Sequence, residues 1–268
     1  MQPPIVQKKE IQFFSIVKRD YTLSPRAINQ KRICDALMKH GMGTVEDLSR
    51  WTFIPEASIR AALKELIKKG IVKKDKKRIF RKAIIQAHQI SSKKPLLNNE
   101  QLYAVNEIYQ NYIKGLRKPV LLYGVTGSGK TEVYLHVIEK ILHLKKRAIM
   151  LVPEISLTPQ MVAIFQNRFP GKIAVLHSRL SAGEKLDEWQ RIVEGEADIV
   201  IGARSAIFAP VKDLGLIIVD EEHEASYKQT EYPYYDARTV ARFRAEQNEA
   251  LLIMGSATPS VESYYNVA

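Results

Sequence analysis

Two rhythms of apolar and polar positions divide this chain of 268 residues. In the later part, near-continuous runs of Val, Ile and Leu recur at 119–123, 148–153, 173–177, 197–202, 215–220 and 249–255. Such runs do not alternate with polar residues, which is the pattern of strands buried on both faces of a parallel sheet. Stretches of helical period separate most of them. The pattern therefore predicts a doubly wound α/β domain, with ligands gathered at the carboxyl ends of its strands.

Residues 25–82 follow a shorter rhythm. Ser24 and Pro25 predict a helix start. Ile33, Ala36 and Leu37 give that helix an apolar face, and His40–Gly41 ends it. Thr44, Val45, Glu46 and Asp47 open a second short helix that runs to about Trp51, and Pro55–Glu56 open a third. In the third, Ile59, Leu63, Leu66 and Ile67 form the buried stripe, and Gly70 closes it. Residues 71–82 then read as two short strands around a charged turn. Three helices and a basic hairpin predict a winged helix, a relative of the helix-turn-helix. The organisation expected is an N-terminal segment over 1–24, a winged-helix DNA-binding domain over 25–90, a linker over 91–96 and a nucleotide-binding domain over 97–268.

Charge sharpens this division. The net charge is +12 at pH 7. Residues 1–95 carry 22 Lys and Arg against 8 Asp and Glu, a net of +14, and residues 96–268 carry 19 against 21, a net of −2. All the excess positive charge lies in the first third, which points to a polyanion partner for that part. On the third predicted helix, Arg60, Lys64 and Lys68 recur every four residues on a face away from the apolar stripe. Lys73, Lys74, Lys76 and Lys77 crowd the predicted wing. These seven are the candidate phosphate contacts of the first domain. The alternative is a lysine-rich surface that serves solubility or protein contacts. Cys34 is the one cysteine. It allows neither a disulfide framework nor a cysteine-based zinc site, and it fits a reducing compartment. The start, MQPPIVQKKE, has no apolar core of a signal peptide, and no apolar run approaches the ~20 residues of a membrane span, so a soluble intracellular protein is expected.

The chemistry is concentrated in the second domain. Gly124, Val125, Thr126, Gly127, Ser128, Gly129, Lys130 and Thr131 match G-x-x-x-x-G-K-[ST] between a predicted strand (119–123) and a predicted helix (132–143). In that context the glycines let backbone N–H groups surround phosphates. Lys130 reaches the β- and γ-phosphates of ATP, and the Thr131 hydroxyl ligates Mg²⁺. The run Leu216, Ile217, Ile218, Val219 ends in Asp220, Glu221, Glu222 and His223. Asp220 is the candidate Mg²⁺ ligand and Glu221 the candidate base that orients and deprotonates water. Upstream, the amide of Gln101 can pair with both the N6 donor and the N7 acceptor of adenine, although Asn98 or Asn99 would make this an ordinary capped helix start. Downstream, Ser256 and Thr258 in Gly255–Ser256–Ala257–Thr258–Pro259 can sense the state of the nucleotide.

The order LNNEQ, GVTGSGKT, LVPEISLTPQ, VIGARSAIFAP, DEEH and GSATPS resembles the first motor lobe of a superfamily 2 helicase. GVTGSGKTEVY, LVPEISLTPQ, ARSAIFAP and DEEHEASYKQ resemble, more narrowly, the primosomal protein N′ (PriA) family of replication-restart helicases. The resemblance implies a RecA-like lobe preceded by a winged helix, in an ATP-driven 3′–5′ DNA helicase acting at stalled forks. It implies adenine at Gln101, phosphate and Mg²⁺ at Lys130 and Thr131, metal and water at Asp220 and Glu221, and coupling through His223, Ser256 and Thr258. Arg204 becomes a contact to the DNA backbone. The aromatic-rich segment after the acidic motif becomes a DNA-sensing loop, with Tyr227, Lys228, Tyr232, Tyr234, Tyr235 and Arg238 as contacts; about half of its tyrosines are expected to pack beneath it. Forked and single-stranded DNA, single-stranded DNA-binding protein and primosome or helicase-loading proteins are the implied partners, in a bacterial cytoplasm at the nucleoid. The resemblance also implies a domain that binds a 3′ DNA end, a second motor lobe with an arginine finger, and a cysteine-rich zinc segment. None of these falls within the 268 residues, so zinc has no ligand set here. The chain alone is accordingly expected to be a weak ATPase and no helicase. His177 is expected at a strand end rather than in a zinc pair with His223. The alternative reading is a nucleotide-sensing winged-helix regulator. A small-molecule kinase leaves the basic module and the aromatic segment without a purpose.

Overall fold

The structure, a computed structural model, describes residues 10–18, 20–78 and 95–265. It divides into two compact units, 1–80 and 81–268.

Unit 1 runs β1 (Glu10–Ile16), α1 (Ile28–His40), β2 (Met42–Gly43), α2 (Val45–Thr52), α3 (Glu56–Lys68) and β3 (Val72–Arg78). Thr44 caps α2 in a reciprocal box: its hydroxyl accepts from the Asp47 amide at 3.1 Å, and the Asp47 carboxylate accepts from the Thr44 amide at 3.0 Å. The Thr44 amide and, at 2.8 Å, the Thr44 hydroxyl both donate to the Asp47 carboxylate and hold it below its ordinary range. Helix α1 starts three residues later than Ser24–Pro25 suggest, because Ser24 instead closes a turn in which its carbonyl accepts from the Ala27 amide at 2.8 Å. Ile33, Cys34, Leu37, Leu48, Ile59, Leu63 and Leu66 are buried in one core with Phe14 and Val72. Ile67, expected in that stripe, is exposed.

The expected hairpin over 71–82 is corrected. Residues 72–78 form one strand, with Asp75 and Lys76 in its middle rather than at a turn. Its partner is β1, antiparallel, from Glu10↔Arg78 to Ile16↔Val72. The three-stranded sheet has the order β2–β1–β3. Residues 10–16 of the expected N-terminal segment are therefore a strand of this module, whose described elements begin before residue 25. The linker expected over 91–96 lies, up to residue 94, outside the described residues, as does the end of the predicted wing beyond residue 78.

Unit 2 contains α4 (Asn99–Ile113), β4 (Val120–Tyr123), α5 (Lys130–His143), β5 (Arg147–Leu151), α6 (Pro159–Arg168), β6 (Ile173–Leu176), α7 (Ala182–Glu194), β7 (Ile199–Gly202), β8 (Leu214–Val219), β9 (Lys228–Gln229), β10 (Tyr235–Asp236), α8 (Ala237–Gln247), β11 (Leu251–Ser256) and α9 (Val261–Tyr265). All six expected strands are present, and they form one parallel sheet of order β4–β11–β8–β5–β7–β6. Alternation within each strand feeds two cores. Leu216 and Ile218 of β8 pack with Val133, Val137 and Ile141 of α5, while Ile217 and Val219 pack with Ala241 and Ala245 of α8. The fold is a RecA-like α/β lobe. The order of strands in the sheet places β4, β11 and β8 side by side, so the loops leaving their carboxyl ends must meet. Among the described residues, no helix is long and apolar enough to cross a membrane.

Because Phe14 is 4% exposed and sits in the core of unit 1, Phe14→Ala is expected to destabilise that unit by about 3–5 kcal/mol. Urea denaturation followed by Trp51 fluorescence in a Trp189→Phe background measures this, and a midpoint equal to that background's would mean that β1 is not integral to the module.

Candidate functional site

The loop from β4 to α5 bends through two glycines in the left-handed region, Gly127 at φ 80° and Gly129 at φ 83°. The Gly124 amide donates to the Ser256 carbonyl at 3.2 Å, which ties the loop to the end of β11. The amides of Gly127, Gly129, Lys130 and Thr131 donate to no protein acceptor among the described residues. They lie at the N-terminus of the fourteen-residue helix α5, where unsatisfied donors and the helix dipole favour an anion. Lys130 Nζ donates to the Gly124 carbonyl at 2.7 Å and lies 3.9 Å from Glu221 Oε1. The lysine thus bridges the glycine loop and the acidic strand end.

Asp220 leaves the end of β8, a strand buried on both faces. Its Oδ1 accepts from the Tyr134 hydroxyl at 2.9 Å, and its backbone carbonyl accepts from the Tyr227 hydroxyl at 2.6 Å. Burial pushes the Asp220 carboxyl above its usual range; the Tyr134 hydrogen bond pulls against that rise. Burial, reinforced by the charge of Asp220, drives the phenols of Tyr134 and Tyr227 far upward, so both remain neutral donors. Glu221 adopts φ 44°, a strained setting for a residue with a side chain, of the kind that gathers at functional sites. Glu222 is fully buried, and its Oε1 accepts from the Ser260 amide at 2.8 Å. His223 Nδ1 and Ser256 Oγ are 2.8 Å apart, and the same Oγ accepts from the Thr258 amide at 3.0 Å. The acidic motif and the segment after β11 are therefore joined at two points. Gly255 explains itself here. A Cβ at that position would overlap the Tyr134 hydroxyl and come within 3.2 Å of Asp220 Oδ1.

These residues fit a nucleoside triphosphate with its metal: donor amides and a lysine on one side, a hydroxyl at Thr131, and a carboxylate at Asp220 facing them from the next strands. The model of the DEAD/DEAH box helicases matches residues 98–267.

This chain belongs to the DEAD/DEAH box helicase family.

Members of this helicase family use nucleotide and Mg²⁺. The chain is also similar to Replication restart protein PriA of Bacillus subtilis (strain 168), 46% identical over 253 residues, which are 93% of this chain and 31% of that protein. The PriA of Chlamydia trachomatis is 50% identical over 182 residues, covering 68% and 24%. That of Synechocystis is 48% identical over 211 residues, covering 77% and 24%. The chain thus spans about a quarter to a third of the length of these relatives.

Around this helicase centre, several expected residues sit differently from their expectation. Gln101 forms a capping box with Asn98: its amide N–H donates to Asn98 Oδ1 at 2.8 Å, and its Oε1 accepts from the Asn98 amide at 3.0 Å. Its Nε2 donates to the Ser128 carbonyl at 2.9 Å, so the side chain also buttresses the glycine loop. Tyr227 is corrected outright as a base-stacking contact. It is 1% exposed, beneath Asp220. Arg238 is likewise turned inward. It grips Asp236 at 2.6 and 3.0 Å and donates to the Glu222 carbonyl at 2.8 Å. Burial raises the Asp236 carboxyl, but those bonds to Arg238 outweigh it and hold the group below its usual range. Arg204 donates to the carbonyls of Ser226 and Lys228, at 3.1 and 2.7 Å, and so pins the aromatic segment instead of projecting freely. Tyr235 is half-buried, edge-on to Phe208 at 5.0 Å between centroids. Tyr232, Tyr234 and Lys228 are exposed, the two rings meeting edge to face at 6.4 Å. His177 directly follows β6, at the strand end.

In unit 1, Arg60, Lys64 and Lys68 share the exposed face of α3, with Arg60 paired to Glu56 at 2.9 Å. Lys73 pairs with Asp75 at 2.9 Å. Because 72–78 is one strand, the four lysines fall at alternating register positions: Lys74 and Lys76 pair with Phe14 and Gln12, whereas Lys73 and Lys77 pair with Ser15 and Ile11. Sequence reasoning missed Tyr134 and Glu222. Tyr134 follows Lys130 by four positions on α5, a spacing that puts both on the same face. Nothing in the sequence marks Glu222 as the buried member of its acidic run.

Proposed function

We propose that this chain supplies the ATP-binding lobe and an adjoining DNA-binding winged helix of a replication-restart helicase, an ATP-dependent 3′–5′ DNA helicase of primosome assembly at stalled forks. The observation that carries the reading is the bridge between motifs. Lys130 stands between the glycine loop and Glu221, beside an Asp220 held by two tyrosines. Similarity to PriA over 93% of the chain supports the choice of DNA motor over a nucleotide-sensing regulator.

In this reading the amides of Gly127, Gly129, Lys130 and Thr131 cradle the phosphates, and Lys130 exchanges its bond to Gly124 for the β- and γ-oxygens. The Thr131 hydroxyl and Asp220 hold Mg²⁺, which when bound neutralises charge across those phosphates. Glu221 orients water and accepts its proton. Gln101, already against Ser128, meets the adenine edge. His223, Ser256 and Thr258 relay the state of the site to the segment after β11. Single-stranded DNA contacts Tyr232, Tyr234 and Lys228, while Arg60, Lys64, Lys68 and the strand lysines of unit 1 meet duplex phosphates. Tyr227, Arg204 and Arg238 position the aromatic segment rather than touch bases. Single-stranded DNA-binding protein and helicase-loading proteins complete the assembly, in the bacterial cytoplasm. An arginine from a facing lobe is worth about 10³–10⁵ in rate in such motors, so the 268-residue chain by itself binds nucleotide but turns it over slowly.

Titration of a fluorescent ATP analogue is expected to show tight binding that Lys130→Ala removes; equal affinities would contradict the nucleotide site. For the nucleic-acid half, replacing Arg60, Lys64, Lys68, Lys73, Lys74, Lys76 and Lys77 by Gln is expected to weaken forked-DNA binding and flatten its dependence on salt. An unchanged slope would remove unit 1 from the DNA interface.

A further inference from the structure

The first turn of α5 holds an acid, Glu132, directly after Thr131. A carboxylate there suits the helix, because it faces the positive end of the helix dipole. It does not suit a polyphosphate. A nucleotide brought to the same helix end meets a like charge beside the amides that would cradle it.

Arg168, the last residue of α6, answers that charge. Its side chain is only 7% exposed and lies between two acids of α5. Nη1 stands 3.4 Å from Glu132 Oε1, and Nη2 donates to Glu139 Oε2 at 3.2 Å. His136, one turn beyond Glu132, does not replace the arginine. Its Nδ1 lies 2.9 Å from the Glu132 carbonyl, an acceptor, and its Nε2 lies 3.3 Å from Arg168 Nη2, a donor. Those contacts suit a neutral imidazole with its proton on Nδ1. Among the described residues, Arg168 is then the permanent cation within ion-pair range of Glu132.

The pair is poorly made as a mere fastener. Glu132 Oε1 and Arg168 Nε are both buried without a hydrogen-bond partner among the described residues. Apolar side chains would join α5 to α6 at least as well, since an ion pair at this depth often costs more in lost hydration than it returns. What the apolar pair could not do is set the charge at the start of α5.

We propose that Arg168 is a positioning residue for the nucleotide site, acting through Glu132: it cancels the carboxylate beside Thr131, so that a polyphosphate reaches the amides of α5 unopposed. The inference rests on the reading of the glycine loop as a nucleotide site and adds to that reading a residue on a different helix.

The test titrates fluorescent analogues of ATP and ADP against variants of the whole chain. Arg168→Met is expected to weaken ATP binding about tenfold, the order of one uncompensated charge near a protein surface. The loss should be smaller for ADP, which brings less negative charge. Arg168→Lys should keep most of the affinity, and Glu132→Gln added to Arg168→Met should restore most of it. Glu132→Gln alone is expected to bind ATP at least as tightly as wild type, and this variant decides the matter if Arg168→Met does not fold. A folded Arg168→Met protein with wild-type ATP affinity, an equal loss for both nucleotides, no rescue by Glu132→Gln, or weakened binding in Glu132→Gln alone overturns the inference while the nucleotide site stands. Failure of the wild-type chain to bind either nucleotide overturns the site, and the inference with it.

Discussion

A carboxylate carried at the end of a strand buried on both faces has to be given hydrogen-bond donors, because an unpartnered charge there is costly. In this lobe the donors to Asp220 come from elements far apart in sequence. Tyr134 reaches its side chain from α5, and Tyr227 reaches its backbone carbonyl from the aromatic segment. The contact with Tyr134 in turn fixes what β11 can carry, since any side chain at Gly255 would occupy the space of that hydroxyl. The order of strands makes this possible: β8 and β11 are neighbours, and the helix that follows β4 starts beside them.

The same residues give a physical path from the nucleotide side of the lobe to the exposed aromatic rings. Tyr227 lies under Asp220, and Arg238 bonds the Glu222 carbonyl. Between these anchors the chain runs out through the short β9–β10 pair and exposes Tyr232 and Tyr234. A shift of the acidic motif would be transmitted to the base of this segment, and a strand bound to its tip would be felt at Asp220. His223 with Ser256, and Glu222 with Ser260, do the same for the segment that follows β11.

The sequence was most legible where chemistry and period are local. The six buried strands and the glycine loop were found because each is a short, continuous signal with its own flanks. The helix start at Thr44 was visible for the same reason. The partner of residues 72–78 was not, because the lysine-rich stretch imitates a turn and its pairing strand lies about sixty residues upstream, with Phe14 as its buried anchor. The tyrosines of the aromatic segment differ by nothing that a one-dimensional pattern records. Only the fold puts Tyr227 beneath a buried acid and Tyr232 in solvent. Gln101 takes the capped-helix reading, as half of a capping box with Asn98, and its side chain also props the glycine loop, which no sequence pattern announced.

In the proposed site Tyr134 holds Asp220 ready for a metal ion. This is tested most directly by measuring nucleotide affinity with and without Mg²⁺ in the wild-type chain and in Tyr134→Phe. The account predicts equal affinities without Mg²⁺. It also predicts that the gain in affinity on adding Mg²⁺ is about tenfold smaller in the variant, the effect of one hydrogen bond to a charged group. A variant that folds and keeps the full Mg²⁺-dependent gain would contradict it.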